Sequence, residues 1–151
     1  MKSNNQQAKN HCKFLLTLFL AGFLFVTSTS QSIAAPPSPI GVWNLAGIDQ
    51  ANNNWIATIV LFHNVNNAIV GYADWSSDRG FGGREYVTAT YNETNKTLKF
   101  HGIKLKYPDG IVLGSYMASL SIDGNKLLNG KWSDFNQAIP GKWVANRIQL
   151  K

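Results

Sequence analysis

Cysteine is almost absent from this 151-residue chain, and its single cysteine, Cys12, lies close to the N-terminus. The rest of the chain can therefore form no disulfide framework and perform no thiol chemistry. No segment has the apolar spacing of a long amphipathic helix, and no glycine-rich loop leads from a strand into a helix. These absences exclude helical bundles and nucleotide-binding proteins of the phosphate-loop type.

Charged residues are also few, at 15% of the chain. After the first 34 residues the histidines are His63 and His101, which fall on different predicted strands with no acid at metal-ligand spacing. We therefore predict no metal site and no cofactor. The acidic residues include Glu85, expected near a strand end. Asp74 and Asp134 could face one another, but nothing in the sequence favours them as a catalytic pair. We predict no catalytic residue and no enzyme activity.

The first 34 residues have the pattern of a secretory signal. A lysine-containing segment precedes an apolar run at 14–26, and small residues at 32 and 34 follow it. Because this run is short for a bilayer span, we predict a cleaved signal peptide over 1–34 and a secreted or periplasmic protein, with an uncleaved anchor as the alternative. The remainder carries 11 basic and 8 acidic side chains. This small excess predicts neither nucleic-acid binding nor, after signal removal, membrane binding.

Residues 41–151 are predicted to form one all-β domain, preceded by a Pro-rich tether at 35–40 that cannot join a sheet. Eight segments are rich in β-branched and aromatic residues: 42–45, 55–62, 68–75, 85–92, 97–105, 111–121, 127–134 and 142–150. Turns rich in Asn, Asp and Gly separate many of them. Short connections at regular spacing predict an eight-stranded antiparallel up-and-down β-barrel.

A Gly-x-Trp pattern recurs at Gly41–Trp43, Gly130–Trp132 and Gly141–Trp143. Because side chains alternate along a strand, the glycine and the ring of each pattern share one face. The pattern is typical of a barrel wall in which glycine leaves room for a neighbouring ring. Packing of the barrel alone is the alternative to a role in ligand binding.

Six short motifs follow one another along the chain. They are Gly41-Val42-Trp43, Gly71-Tyr72, Tyr86-Val87-Thr88-Ala89-Thr90-Tyr91-Asn92, Leu113-Gly114-Ser115-Tyr116, Asn129-Gly130-Lys131-Trp132 and Trp143-Val144-Ala145-Asn146-Arg147-Ile148. In this order they resemble the avidin and streptavidin family and, more broadly, lipocalin-like barrels of the calycin type. The resemblance implies a barrel that holds a small molecule at one end. It also implies that Trp132 and Trp143 flank the ligand, with Tyr72 and Phe100 near it.

The polar positions of that family are not retained. The positions that differ are Asn44, Ile48 or Asp49, Gly110, Val112 and Lys151. A site that recognises polar groups through buried hydrogen bonds loses much of its affinity when partners are missing. We therefore predict that biotin binds weakly or not at all.

The segment at 76–84 contains three glycines together with Arg79, Phe81 and Arg84. In the avidin-like comparison it corresponds to the lid over the ligand. Its cations and ring predict a clamp for an anionic or aromatic ligand, or a surface for a protein partner. A flexible hairpin tip is the alternative.

The leading hypothesis is an exported, non-enzymatic barrel that binds a small molecule between Trp132, Trp143 and Tyr72. The alternative is a secreted inhibitor of a hydrolase, such as a protease or a lysozyme. That inhibitor would insert either the 76–84 loop or the N-terminal arm at 35–40 into an enzyme cleft. The predicted partner is thus a small molecule or a secreted protein, and an oligomer is compatible with either.

We predict a structural role for Arg147. It shares a face of the last segment with Trp143, and closure of the barrel pairs that segment with the first one. Arg147 is therefore expected near Trp43, with its guanidinium on the indole as a cation–π contact. This contact would close one end of the barrel and leave the ligand at the other.

Overall fold

The computed structural model describes residues 36–134 and 140–149. The predicted signal peptide at 1–34, Ala35 of the tether and Lys151 lie outside the described residues. Eight strands are present: β1 (Gly41–Asp49), β2 (Asn54–His63), β3 (Ile69–Ser77), β4 (Gly82–Asn92), β5 (Thr97–Asp109), β6 (Gly114–Leu120), β7 (Lys126–Asp134) and β8 (Gly141–Arg147). In the described part of the chain, no helix is long and apolar enough to span a membrane.

Each strand pairs antiparallel with the next along the chain, and β8 pairs with β1. The sheet is therefore a closed up-and-down barrel, which confirms the predicted fold class. Closure matters because every strand has a paired neighbour on each side, although β5 pairs with β6 only over Thr97–His101.

The interior follows from the alternation of side chains along the strands. In β6, Tyr116, Ala118 and Leu120 are buried while Met117 between them is exposed. Large apolar side chains from the other strands, among them Trp43, Ile59 and Phe100, are fully buried in the same core. Burying one such side chain contributes roughly 1.5–3 kcal/mol to folding, so the core stabilises the barrel without disulfides.

One end of the barrel, where β1 begins and β8 ends, is covered by residues 36–40; we call it the closed end. The buried indole of Trp43 donates from Nε1 to the carbonyl oxygen of Pro39 at 2.9 Å. Arg147 donates to the carbonyl oxygens of Gly124, Ile40 and Ser38. The segment predicted as a Pro-rich tether or an inserting arm is thus bound to the barrel through the carbonyl oxygens of Ser38, Pro39 and Ile40.

The segment at 76–84 differs from the long loop that the sequence suggested. β3 continues to Ser77 and β4 begins at Gly82, so the connection is a four-residue turn at 78–81. A Cβ on Gly82 would lie 2.6 Å from the carbonyl oxygen of Trp75. This glycine therefore serves close backbone approach between paired strands rather than mobility.

Candidate functional site

The end where β1 meets β2, opposite the closed end, holds a cavity of about 280 Å³ that we call the open-mouth cavity. Its walls come from the ends of several strands and from the turns between them. The side chains that define it are Asp49, Trp55, Trp75, Phe81, Tyr116 and Trp132. A concave, largely aromatic pocket with a few fixed polar groups is the usual form of a small-ligand site.

Trp75 is the centre of the aromatic wall. Its ring meets Trp55 and Trp132 edge to face, with centroids 6.3 and 5.6 Å away. It also stacks on Tyr116 at 5.6 Å, and Tyr116 in turn stacks on Phe100 at 4.5 Å. Such ring pairs add about 0.5–1.5 kcal/mol each to the burial of their surface, so the wall is formed without a ligand.

Asp49 brings a charged group to the rim of this cavity. The carboxylate is 8% exposed and accepts hydrogen bonds from the backbone N–H of Asn53, from Asn53 Nδ2 and from Trp55 Nε1 at 2.7–3.0 Å. Burial alone would raise the pKa of Asp49, but the hydrogen bonds from Trp55 and Asn53 hold it below its ordinary value. Asp49 is therefore an anion at neutral pH.

Glu85 lies behind the aromatic wall and is fully buried. Its carboxyl group accepts hydrogen bonds from Tyr116 Oη at 2.6 Å, from the backbone N–H of Gly114 at 2.8 Å and from Trp75 Nε1 at 3.1 Å. Burial raises the pKa of Glu85 although these three donors oppose it. Two of the rings that line the cavity are thus held in place by one carboxyl group.

Gly102 on β5 makes room for that carboxyl group. A Cβ at this position would lie 1.8 Å from Glu85 Oε1. The position therefore requires glycine for space, because Glu85 is held by three partners and cannot move aside cheaply.

The structure brings two of the predicted site residues to the cavity: Trp132 and Phe81. Phe100 and Trp143 lie deeper, at 2% and 3% exposure, where their rings meet at 5.9 Å within the core. They support the aromatic wall from below rather than line the cavity. The indole Nε1 of Trp143 is buried without a hydrogen-bond partner among the described residues.

Tyr72, predicted beside the ligand, and Arg84, predicted in a clamp over it, both lie on the outer face of the wall and do not line the open-mouth cavity. The guanidinium carbon of Arg84 lies 4.1 Å from the Tyr72 ring centroid, and Arg84 forms a bidentate ion pair with Asp74 at 2.6 and 2.7 Å. The reason is strand alternation, because Gly71 and Ala73 on either side of Tyr72 are buried. Arg79 is exposed at the tip of the 78–81 turn.

Several functional candidates escaped the sequence reasoning. Asp49 and Trp55 flank a turn whose position the sequence does not fix. The 68–75 segment predicts a strand for Trp75 but not the face of the sheet on which its ring lies. Glu85 had a usable signal, because Val87 and Ala89 follow it at period two and are apolar. That alternation puts Glu85 on the interior face.

Metal binding finds no support in this part of the chain. Among the described residues, no group of three or more His, Cys, Asp and Glu side chains is placed to hold a metal ion.

The comparisons with known proteins bear on the fold. No family model matches the chain, and no curated protein matches it. Among solved structures, the chain is similar to EF1p2_mFAP2b bound to DFHBI, with a TM-score of 0.55 over 72% of this chain and 93% of that one. At 11% sequence identity this likeness establishes a shared barrel architecture, and that barrel was solved with a ligand bound.

Proposed function

We propose that the protein is an exported, non-enzymatic barrel that binds a small molecule in the open-mouth cavity. The observation that carries the proposal is a preformed aromatic pocket, built on Trp55, Trp75 and Trp132, at the end opposite the closed end. Rigid rings lower the entropy that binding would otherwise cost. The similar barrel lends support, since it was solved bound to DFHBI.

The resemblance to avidin-like proteins supports this proposal only at the level of barrel architecture. Order of motifs and barrel topology support a related architecture. The tyrosine expected near the ligand, Tyr72, is on the outer face instead, and Trp143 is in the core. Both positions support the expectation that biotin binds weakly or not at all.

A hydrolase inhibitor is less well supported. Such a protein would insert an arm or a loop into an enzyme cleft, and residues 36–40 are instead tied to Trp43 and Arg147. The 78–81 turn is short and held by hydrogen bonds from the backbone N–H groups of Arg79 and Phe81 to Ser77 Oγ. Neither segment has the form of a wedge.

Two measurements test the proposed function. Native mass spectrometry of protein purified from its own host reports a co-purified ligand by its mass. Titration of the tryptophan fluorescence against a diverse library of small molecules reports binding near the aromatic wall. We expect at least one compound to give a saturable change that Trp132→Leu abolishes. A library without any such compound, together with native protein of the bare chain mass, would contradict the proposal.

A further inference from the structure

The electrostatic character of the open-mouth cavity indicates which ligand it takes. The described residues that line it include no lysine, arginine or histidine. They do include the two acids Asp49 and Asp134. Glu85, bonded to Trp75 and Tyr116, adds a third carboxyl group directly behind the wall. A cavity lined by one sign of charge attracts ligands of the opposite sign.

The hydrogen-bond donors of the aromatic wall are already engaged. The indole N–H of Trp55 is given to Asp49, and the Trp75 N–H and Tyr116 O–H are given to Glu85. A ligand carboxylate or carbonyl oxygen would have to compete with these bonds, and the one to the Asp49 carboxylate is charge-assisted and about twice as strong as a neutral one. These groups therefore give an anionic ligand little to bind.

Two acceptors at the cavity, in contrast, have unused hydrogen-bonding capacity. Asn53 Nδ2 donates to Asp49, which fixes the orientation of the amide, and its Oδ1 is buried with no hydrogen-bond partner in the described structure. A buried acceptor that lacks a donor is unfavourable by about 1–3 kcal/mol, so a small shift of the Asn53 amide that let a ligand N–H reach Oδ1 would recover part of this free energy. The Asp49 carboxylate accepts three hydrogen bonds and has about four acceptor sites.

The tryptophan rings of the wall also favour a cationic ligand. The faces of tryptophan attract cations that approach within about 6 Å, and this attraction grows when both partners are shielded from water. The volume of about 280 Å³ is just below the range of roughly 300–1,000 Å³ usual for drug-sized ligands, so the ligand is small.

We propose that the open-mouth cavity binds a small organic cation with at least one N–H group, held by Asp49 and Asn53 against the rings of Trp55, Trp75 and Trp132. The inference rests on the proposed function and specifies its ligand class. A cationic ligand differs from the anionic one that the arginines of the 76–84 segment suggested. Arg84 is on the outer face in an ion pair with Asp74, and the exposed Arg79 does not line the cavity.

Four compounds of one shape separate the possibilities at pH 7 by calorimetry: 2-phenylethylammonium, its N,N,N-trimethyl analogue, 2-phenylethanol and phenylacetate. We expect 2-phenylethylammonium to bind at least about tenfold more tightly than 2-phenylethanol and phenylacetate, as one charge-assisted contact would give. The trimethyl analogue keeps the charge without the N–H and should bind with intermediate affinity.

Asp49→Asn should abolish the preference for the cation, and Glu93→Gln, which removes an exposed acid from the β4–β5 turn at the closed end, should retain it. Should Asp49→Asn fail to fold, Ser133→Lys should also abolish the preference for the cation, because it places a positive charge at the cavity wall. Val65→Lys, at an exposed position, is its control. Equal or tighter binding of phenylacetate or 2-phenylethanol overturns the inference and leaves the proposed function standing. Equal binding of the trimethyl analogue overturns the N–H requirement. Absence of binding by all four compounds overturns the cationic class, while the library titration still decides the proposed function.

Discussion

The guanidinium carbon of Arg147 lies 4.2 Å from the ring centroid of Trp43, which is fully buried at the closed end. The contact follows from the register, in which Trp43 on β1 pairs with Arg147 on β8. Arg147 also bridges three carbonyl oxygens of the 36–40 segment and the β6–β7 turn. One side chain therefore joins the first strand, the last strand and the N-terminal segment.

Replacing Arg147 should lower stability without changing the ligand site. Arg147→Ala removes the cation–π contact and three hydrogen bonds, and we expect the melting temperature to fall by roughly 5–15 °C. The melting temperature of Arg147→Lys should lie between those of the wild type and Arg147→Ala, because an ammonium cannot stack flat on the indole. Calorimetric melting measures both, with Lys142→Ala, exposed on the same strand, as the control. An Arg147→Ala protein that melts like the wild type but no longer binds ligand would make Arg147 a ligand residue.

Glu85 should make the barrel less stable as the pH rises. Its pKa is raised in the folded state by burial, so the folded protein holds the proton to higher pH than the unfolded chain. The free energy of unfolding contributed by Glu85 is then greatest below the ordinary value of 4.5 and declines as the pH rises through the folded pKa.

Urea unfolding of the wild type and Glu85→Gln between pH 4 and 7 isolates this effect, since the other titrating groups are common to both proteins. We expect the stability of the wild type relative to the variant to decline with rising pH. A relative stability that increases with pH would reverse the sign and contradict the buried position.

The contribution of Asp49 to stability should have the opposite pH dependence. Its pKa is lowered in the folded state, so its contribution to stability is present above the ordinary value of 3.8 and is lost as the pH falls through the folded pKa. Asp49→Asn should reduce the free energy of unfolding by about 1–3 kcal/mol at pH 7, because three donors lose their charged acceptor. The loss should shrink near pH 2. Glu93→Gln is the control, and a loss that stayed constant over this range would contradict the assignment.

Trp132 and Tyr72 form a matched pair of substitutions for the ligand site. Trp132→Leu removes a ring that meets Trp75 at 5.6 Å in the cavity wall, and affinity for a bound compound should fall at least about tenfold. Tyr72→Leu removes an aromatic ring from the outer face instead, and affinity should be unchanged. Fluorescence titration of both variants decides between the interior site and the site that the family resemblance implied.

The barrel could be predicted from the sequence because period-two alternation and turn residues act locally. The contact of Arg147 with Trp43 could also be anticipated, since closure alone pairs the first and last strands. The site could not be predicted as well. Asp49 acquires its role from a turn in which Asn53 folds back on it, and Tyr72 was placed by resemblance although its neighbours Gly71 and Ala73 already indicated the outer face.

The extent of the 76–84 segment was misjudged for a related reason. Its glycines suggested mobility, yet Gly82 permits close backbone pairing and Gly83 adopts a φ of 140° next to a register shift in β4. Whether a glycine serves flexibility or close approach depends on the partner strand. That partner is a non-local feature, which a single sequence does not display.

The most direct test of the ligand site uses the five tryptophans as separate reporters. In ¹H–¹⁵N NMR spectra each indole N–H gives its own signal, and 2-phenylethylammonium can be titrated while all five are followed. We expect the signals of Trp55, Trp75 and Trp132 to shift with one common saturation curve, while Trp43 at the closed end stays in place. A shift confined to Trp43 would contradict a ligand site in the open-mouth cavity, and five signals that stay unmoved at the highest concentration would overturn the cationic ligand class.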